Sequence, residues 1–311
     1  MNKDLVARLR PLIGLVLLSA AVALCSSRFL TASNLLTVLR QTSINVVIAT
    51  GMTFVILTGG IDLSVGSTLA FAGVVMAALL ATQLPLIVSL VLVLVLGAAI
   101  GAVTGLVITK GKVQPFIATF VFMTVLRGAT LVFTNGTPVP ADEGPHADAF
   151  AFLGQGYLLD VPVPIFLMIA VLGIAYYVLR HTRFGRYVYA LGGNEEAARL
   201  SGLRTRSIKT AVYAVSGLLA ALAGIISTAR LSSAQPTAGT GYELDAIAAV
   251  VVGGTSLSGG SGQIAGTLVG ALIIGILNNA LNLLDVPSYY QMIAKGVIIL
   301  IAVLLDRKTE S

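Results

Sequence analysis

Tryptophan is absent from the 311 residues, cysteine occurs once and histidine twice, and Asp, Glu, Lys and Arg together make up only 10%. Each shortage removes a class of protein. The single Cys25 excludes an internal disulfide framework and any Cys-based metal cluster within one chain. His146 and His181 lie far apart and have no partners at metal-ligand spacing. A soluble domain carries about 25% charged residues; this chain is 57% hydrophobic with a mean hydropathy of +0.97, so it is no ordinary soluble domain. There is no G-x-x-x-x-G-K-[ST] phosphate loop and no polar stretch long enough to house a nucleotide-binding domain, so any ATP is hydrolysed elsewhere. Gly260 and Gly262, with Ala265 three residues on, superficially match a dinucleotide fingerprint, but another apolar run follows them. No nucleophile, base and orienting group occur together at recognisable spacing. An enzyme is disfavoured, and neither a cofactor nor a metal is implied.

What is there is long apolar runs. Stretches of about 17 to 25 residues place spans near 11–28, 39–58, 63–82, 84–109, 114–134, 162–180, 209–230, 243–258, 264–284 and 288–305. That makes an all-α, polytopic membrane protein of about ten transmembrane helices in a single domain, 1–311. Basic residues near 3–10, 110–112, 180–209 and 307–308 fall on one side of such a bundle, whereas no Lys or Arg lies between Arg127 and Arg180. The positive-inside rule then puts both termini in the cytoplasm. The net charge of +6 reports this topology and contact with anionic membrane lipid, and is no argument for nucleic acid. The largest outer loop, 135–161, carries Asp142, Glu143, Asp148 and Asp160; the largest inner loop, 181–208, is strongly basic.

One stretch interrupts the apolar pattern. Residues 59–67, GGIDLSVGS, set Asp62 among three glycines and two serines where a membrane helix should be continuous. Glycine permits an unwound backbone, and Ser64 and Ser67 can satisfy the groups it frees. A carboxylate facing lipid costs roughly 2.5 to 3.5 kcal/mol on insertion scales, so Asp62 either caps the following helix or lines a protein-walled path. The pattern of Gly59, Gly60, Leu63, Ser64, Gly66 and Ser67 recurs as Gly253, Gly254, Leu257, Ser258, Gly260 and Ser261, with Ser256 in the place of Asp62. A weaker echo links Gly101, Gly105 and Arg127-Gly128 to Gly266, Gly270 and Lys295-Gly296. The two repeats imply different offsets between the halves of the chain.

With these residues in view a family resemblance stands out. GMTFVILTGGIDLSVGS, YALGGNEEAARLSG, ARLSSAQPTAGTGYELDAIAAVVVGGTSLSGG and LNNALNLL followed by SYYQMIAKG resemble the membrane permease subunit of ribose-type bacterial ABC importers, from about Phe29 to Asp306. The resemblance implies a monosaccharide permease of the bacterial inner membrane with the ten-span, type II (vitamin B12-type) fold. It also implies a second copy of the chain as partner, a cytoplasmic ATPase subunit and a periplasmic sugar-binding protein. Within the 181–208 loop, Glu196, Ala197, Ala198 and Gly202 are similar to the EAA loop through which such permeases contact their ATPase. Asn194 ahead of two acids, with Gly202 beyond, reads as a short capped helix. Asp62, Asn278, Asn279, Asn282, Gln291 and Lys295 are candidates for the translocation path, because polar groups in spans face a bundle interior. Arg127 is a polar residue of the same kind, suited to pairing with Asp62, Asp245 or Asp285. The rival reading is a gradient-driven secondary transporter or channel for a small polar solute.

Overall fold

The structure, a computed structural model, describes residues 3–287, 289–293 and 296–297. Up to Leu283 these form twelve helices: α1 (Lys3–Cys25), α2 (Ala32–Leu57), α3 (Val65–Leu80), α4 (Leu86–Lys110), α5 (Pro115–Thr134), α6 (Ala147–Gln155), α7 (Val163–His181), α8 (Arg183–Gly193), α9 (Glu195–Leu200), α10 (Thr205–Leu231), α11 (Tyr242–Val252) and α12 (Ile264–Leu283). Two antiparallel strand pairs complete the fold. In chain order the strands are β1 (Val139–Pro140), β2 (Tyr157–Leu158), β3 (Val161–Pro162) and β4 (Ser233–Ala234), with β1 paired to β4 and β2 to β3. Helix α7 joins the acidic 135–161 segment at one end of the bundle to the basic 181–208 segment at the other. These two faces are called the acidic and basic ends below.

The expectation of about ten spans in a vitamin B12-type fold does not hold. Among the described residues six helices, α2, α4, α5, α7, α10 and α12, are long and apolar enough to cross a membrane. The physical reason lies at the places where glycine breaks the pattern. The span expected at 63–82 becomes a helix only from Val65 and has 16 residues, about 24 Å against a hydrocarbon core of about 30 Å. The one expected at 243–258 ends after 11 residues at Gly253. The apolar part of α1 is the short run Pro11–Cys25. The span expected at 288–305 lies largely outside the described residues.

Helix α10 is the pillar of the bundle, packing on α2, α3 and α4. Its seam with α4 is built from small residues at four-residue spacing, the arrangement by which membrane helices approach backbone to backbone. A Cβ on Gly101 would collide with the Tyr213 carbonyl oxygen, and one on Gly217 with that of Gly97. Helices α2 and α12 are joined instead by polar side chains. The Asn34 and Asn279 amides exchange two hydrogen bonds of 3.1 and 3.0 Å, and the Thr53 and Thr267 hydroxyls are 2.8 Å apart. Around these seams lies a core that includes Ile44, Ile48, Met52, Ile56, Val212 and Ile226.

Candidate functional site

The first glycine-rich turn connects α2 to α3. Helix α2 closes with Gly59 at φ +71° and the Gly60 N–H donating to the Val55 carbonyl at 3.1 Å, the bonding of a Schellman motif. The chain then folds back so that Asp62 is 1% exposed. Its carboxylate accepts from the Ser64 amide at 3.0 Å, the Ser64 hydroxyl at 2.6 Å and the Ser216 hydroxyl of α10 at 2.8 Å. Ser64, at the N-cap of α3, makes no side-chain capping bond, so the acid shapes the turn from two residues upstream and ties it to the pillar. The Tyr213 hydroxyl adds a 3.4 Å bond to the Ile61 carbonyl. These α10 partners were invisible in sequence, since serine and tyrosine more than 150 positions away carry no local signal.

The second copy of the motif lies against the first. The Gly260 N–H donates to the Leu57 carbonyl at 3.0 Å, and both turns touch Gly192 of α8. The motif repeat therefore marks two neighbouring turns at the basic end. The weaker repeat runs through Lys295, outside the described residues.

Helices α3 and α11 start at one place and run apart. After β4 the segment 235–241 dips from the acidic end to the foot of α3, where Gly239 meets Gly66; a Cβ on Gly66 would strike the Gly239 carbonyl oxygen. Arg127 of α5 holds that segment by donating from Nη1 to the Pro236 and Ala238 carbonyls at 2.7 and 2.9 Å. Glu243, in the first turn of α11, accepts from the Gly241 amide at 3.2 Å. From this junction α3 rises until Leu80 meets Gly144 of the acidic end, whereas α11 descends to the turn beside Gly192. Two short helices with their positive ends together inside a membrane bundle form the arrangement that transporters use at polar solutes. The sequence pointed to Arg127 as suited to pairing with Asp62, Asp245 or Asp285; its hydrogen bonds go to backbone carbonyls, with the charge of Glu243 nearby.

The other candidates fall into separate places. Asn279 is consumed by Asn34. Asn282, exposed, accepts from Gln291 at 2.9 Å, and Gln291 also donates to the Val286 carbonyl at 2.9 Å. The Asn278 side-chain oxygen is buried without a hydrogen-bond partner. Lys295 lies outside the described residues. Asp62 is not brought together with this asparagine group.

At the basic end α9 is a six-residue helix, Glu195–Leu200. Asn194 caps it by accepting from the Ala197 amide at 2.9 Å; at the other end Gly202 takes φ +83° and the Leu203 amide bonds to the Ala198 carbonyl at 3.1 Å. Ala198 packs inward, while Glu196, Ala197 and Gly202 face out. Leu200 is 77% exposed, an apolar knob on an otherwise charged loop. Glu196 pairs with Arg199, and Glu195 with Lys209 of α10. The hydrogen bond from Arg199, and then its charge, hold the Glu196 carboxyl below the usual carboxylate range.

The family described as branched-chain amino acid transport system / permease component matches residues 34–303. The chain belongs to that permease family. It is thus a permease component, a transporter subunit and not an enzyme. The ribose import permease protein RbsC of Escherichia coli (strain K12) is 59% identical over 97% of this chain and 94% of its own length. The protein of the same name from Haemophilus influenzae is 57% identical over 96% and 92%. The D-allose transport system permease protein AlsC of E. coli is 38% identical over 90% and 85%. The resemblance to ribose-type ABC importer permeases is confirmed, and with it a multi-pass protein of the bacterial inner membrane. No solved structure matches the chain, so the vitamin B12-type fold has no support from that side either.

Proposed function

We propose that this permease carries ribose, working with a cytoplasmic ATPase subunit and a periplasmic sugar-binding protein. The observation that carries the sugar is the gap in identity, 57 to 59% to the ribose import permeases against 38% to the D-allose permease. We further propose a homodimer with the path at its two-fold axis, since a single chain meets only half of a paired ATPase. The basic end and both termini are cytoplasmic on this reading, which the distribution of Lys and Arg supports.

The 181–208 segment is the coupling module. Leu200, Ala197 and the Glu196–Arg199 pair form its docking face, and the rigid caps at Asn194 and Gly202 keep that face in one orientation. A stroke delivered to α9 passes through the Glu195–Lys209 pair into α10. From there the Ser216–Asp62 bond passes it to the turn ahead of α3, and so to the junction of the two short helices. Asp62 serves this relay. Asn278, with its unpartnered oxygen, and Asn282 with Gln291 line the path toward the acidic end, whereas Asn279 locks α2 to α12.

Uptake of labelled ribose and allose into vesicles holding the ATPase and receptor tests the reading. Ribose entry at least tenfold faster is expected; equal entry would overturn the sugar assignment. Gly202→Val places a β-branched residue at a positive φ, and Glu196→Lys removes the acid of the docking face. Both variants are expected to insert normally yet lose uptake and receptor-stimulated ATP hydrolysis. Wild-type coupling in Gly202→Val would overturn the docking assignment.

A further inference from the structure

A cavity of about 440 Å³ opens at the basic end between the last turn of α7, helix α8 and the start of α12, lined by Tyr176, Arg180, Arg186, Tyr189 and Gln263 among others. Two of these lining residues, Arg180 and Arg186, are exposed arginines. Among the described residues the ion pairs are Glu196–Arg199 and Glu195–Lys209, so neither Arg180 nor Arg186 is neutralised by a carboxylate. The Tyr189 hydroxyl is committed, donating to the Gly262 carbonyl at 2.9 Å, which pins α8 to the second glycine-rich turn and fixes the inner wall. Burial pushes the Tyr189 phenol up, and the charge of Arg180 opposes that shift.

Beside the cavity α7 carries exposed apolar side chains. Ile169 and Ile174 of α7 are 56% and 66% exposed, an apolar face that belongs in lipid, and Tyr176 and Tyr177 follow on its last two turns. Tyrosine at that position is an interfacial anchor at headgroup level. A neutral sugar leaves two guanidinium groups without counter-charge, whereas a phosphate answers both, because arginine bonds phosphate oxygens through two parallel N–H groups. We propose that this cavity binds the phosphate of an anionic phospholipid, held between Arg180 and Arg186 with its acyl chains along α7. The site rests on the orientation proposed above, which makes the leaflet the cytoplasmic one. Because α8 is fastened both to this cavity and to the paired turns, the lipid steadies the platform from which α9 projects.

The test uses the assembled complex in nanodiscs of phosphatidylglycerol or phosphatidylcholine, released into a native mass spectrometer. One phosphatidylglycerol retained per permease chain is expected, with no phosphatidylcholine at the same position. Each arginine near a charged headgroup is worth about a fivefold factor in affinity. Arg180→Gln with Arg186→Gln is expected to weaken retention on the order of thirtyfold. The lysine double variant keeps most of it, and Arg204→Gln with Arg206→Gln, which removes equal charge outside the cavity, leaves it intact. Equal retention of both lipids, or undiminished retention in the Gln double variant, would overturn the site. Inorganic phosphate displacing the retained lipid at millimolar concentration would overturn the lipid assignment in favour of a soluble anion. Orientation is read separately by labelling Ser207→Cys in a Cys25→Ser background with an impermeant maleimide. Labelling from outside the cell would overturn the leaflet alone and leave the retention result to be judged by itself.

Discussion

The two glycine-rich turns share a sequence pattern and lie against one another, yet they are anchored differently. In the first, the Ser64 amide bonds to Asp62; in the second, the Ser258 amide bonds to Ser256 at 3.2 Å, the same two-residue reach from the matching position. Both preceding helices end in a left-handed glycine, but it is the first glycine of the pair in one case, Gly59, and the second in the other, Gly254. The shared residues therefore specify a helix stop and a tight reversal. The first turn is tied to α10, where Asp62 accepts from Ser216. The matching positions, Asp62 and Ser256, thus place a carboxylate in one turn and a hydroxyl in the other.

The largest effect is expected where the first turn feeds the junction. Gly66→Val forces the feet of α3 and α11 apart, since even a Cβ collides with backbone at Gly239; uptake should vanish and membrane abundance fall severalfold. Normal uptake would remove the junction from the mechanism. Next comes Asp62→Ala. It leaves the Ser64 and Ser216 hydroxyls without their acceptor and should lower stability by about 3 kcal/mol, read as a drop in the thermal midpoint of the purified protein. Ser256→Ala removes a neutral hydroxyl, the acceptor of the Ser258 amide, and should cost less than Asp62→Ala. Equal losses for these two would dissolve the contrast drawn between the turns.

The smallest effect concerns the exposed coupling face. The folded-state pKa of Glu196 lies below its unfolded value, so the pair with Arg199 contributes above the unfolded pKa. That contribution is lost as pH falls through the lowered folded value. Coupled ATP hydrolysis should be unaffected near pH 7, and a carbon-13 titration of Glu196 should move upward in Arg199→Gln. No movement of the titration would show that Arg199 does not hold the acid.

Composition alone established a helical membrane chain, because nothing else satisfies such apolar runs. The six helices of membrane-crossing length and hydropathy sit where the apolar runs put them. The count failed where glycine sits, since hydropathy does not register a backbone that stops being helical at Gly59 or Gly253 while its side chains stay apolar. The short helix at 195–200 was legible because Asn194, two acids and Gly202 act within one turn of it. The partners of Asp62 and Arg127 were not, for they depend on which helices pack together. Ser216 looks like any small helix residue until α2, α3 and α10 are placed side by side.

The backbone contact between α4 and α10 has a mechanical consequence. Where Gly97, Gly101 and Gly217 let main chains touch, there is no layer of side chains to change rotamer, compress or slide. The two helices amount to one beam, about 40 Å long along α10. On the proposed relay, a push at the Lys209 end reaches the far end as a tilt of the pair, with little taken up between the two helices. Compliance has to reside in the unwound segments flanking that beam, so stiffness and give are divided between adjacent stretches of the same chain.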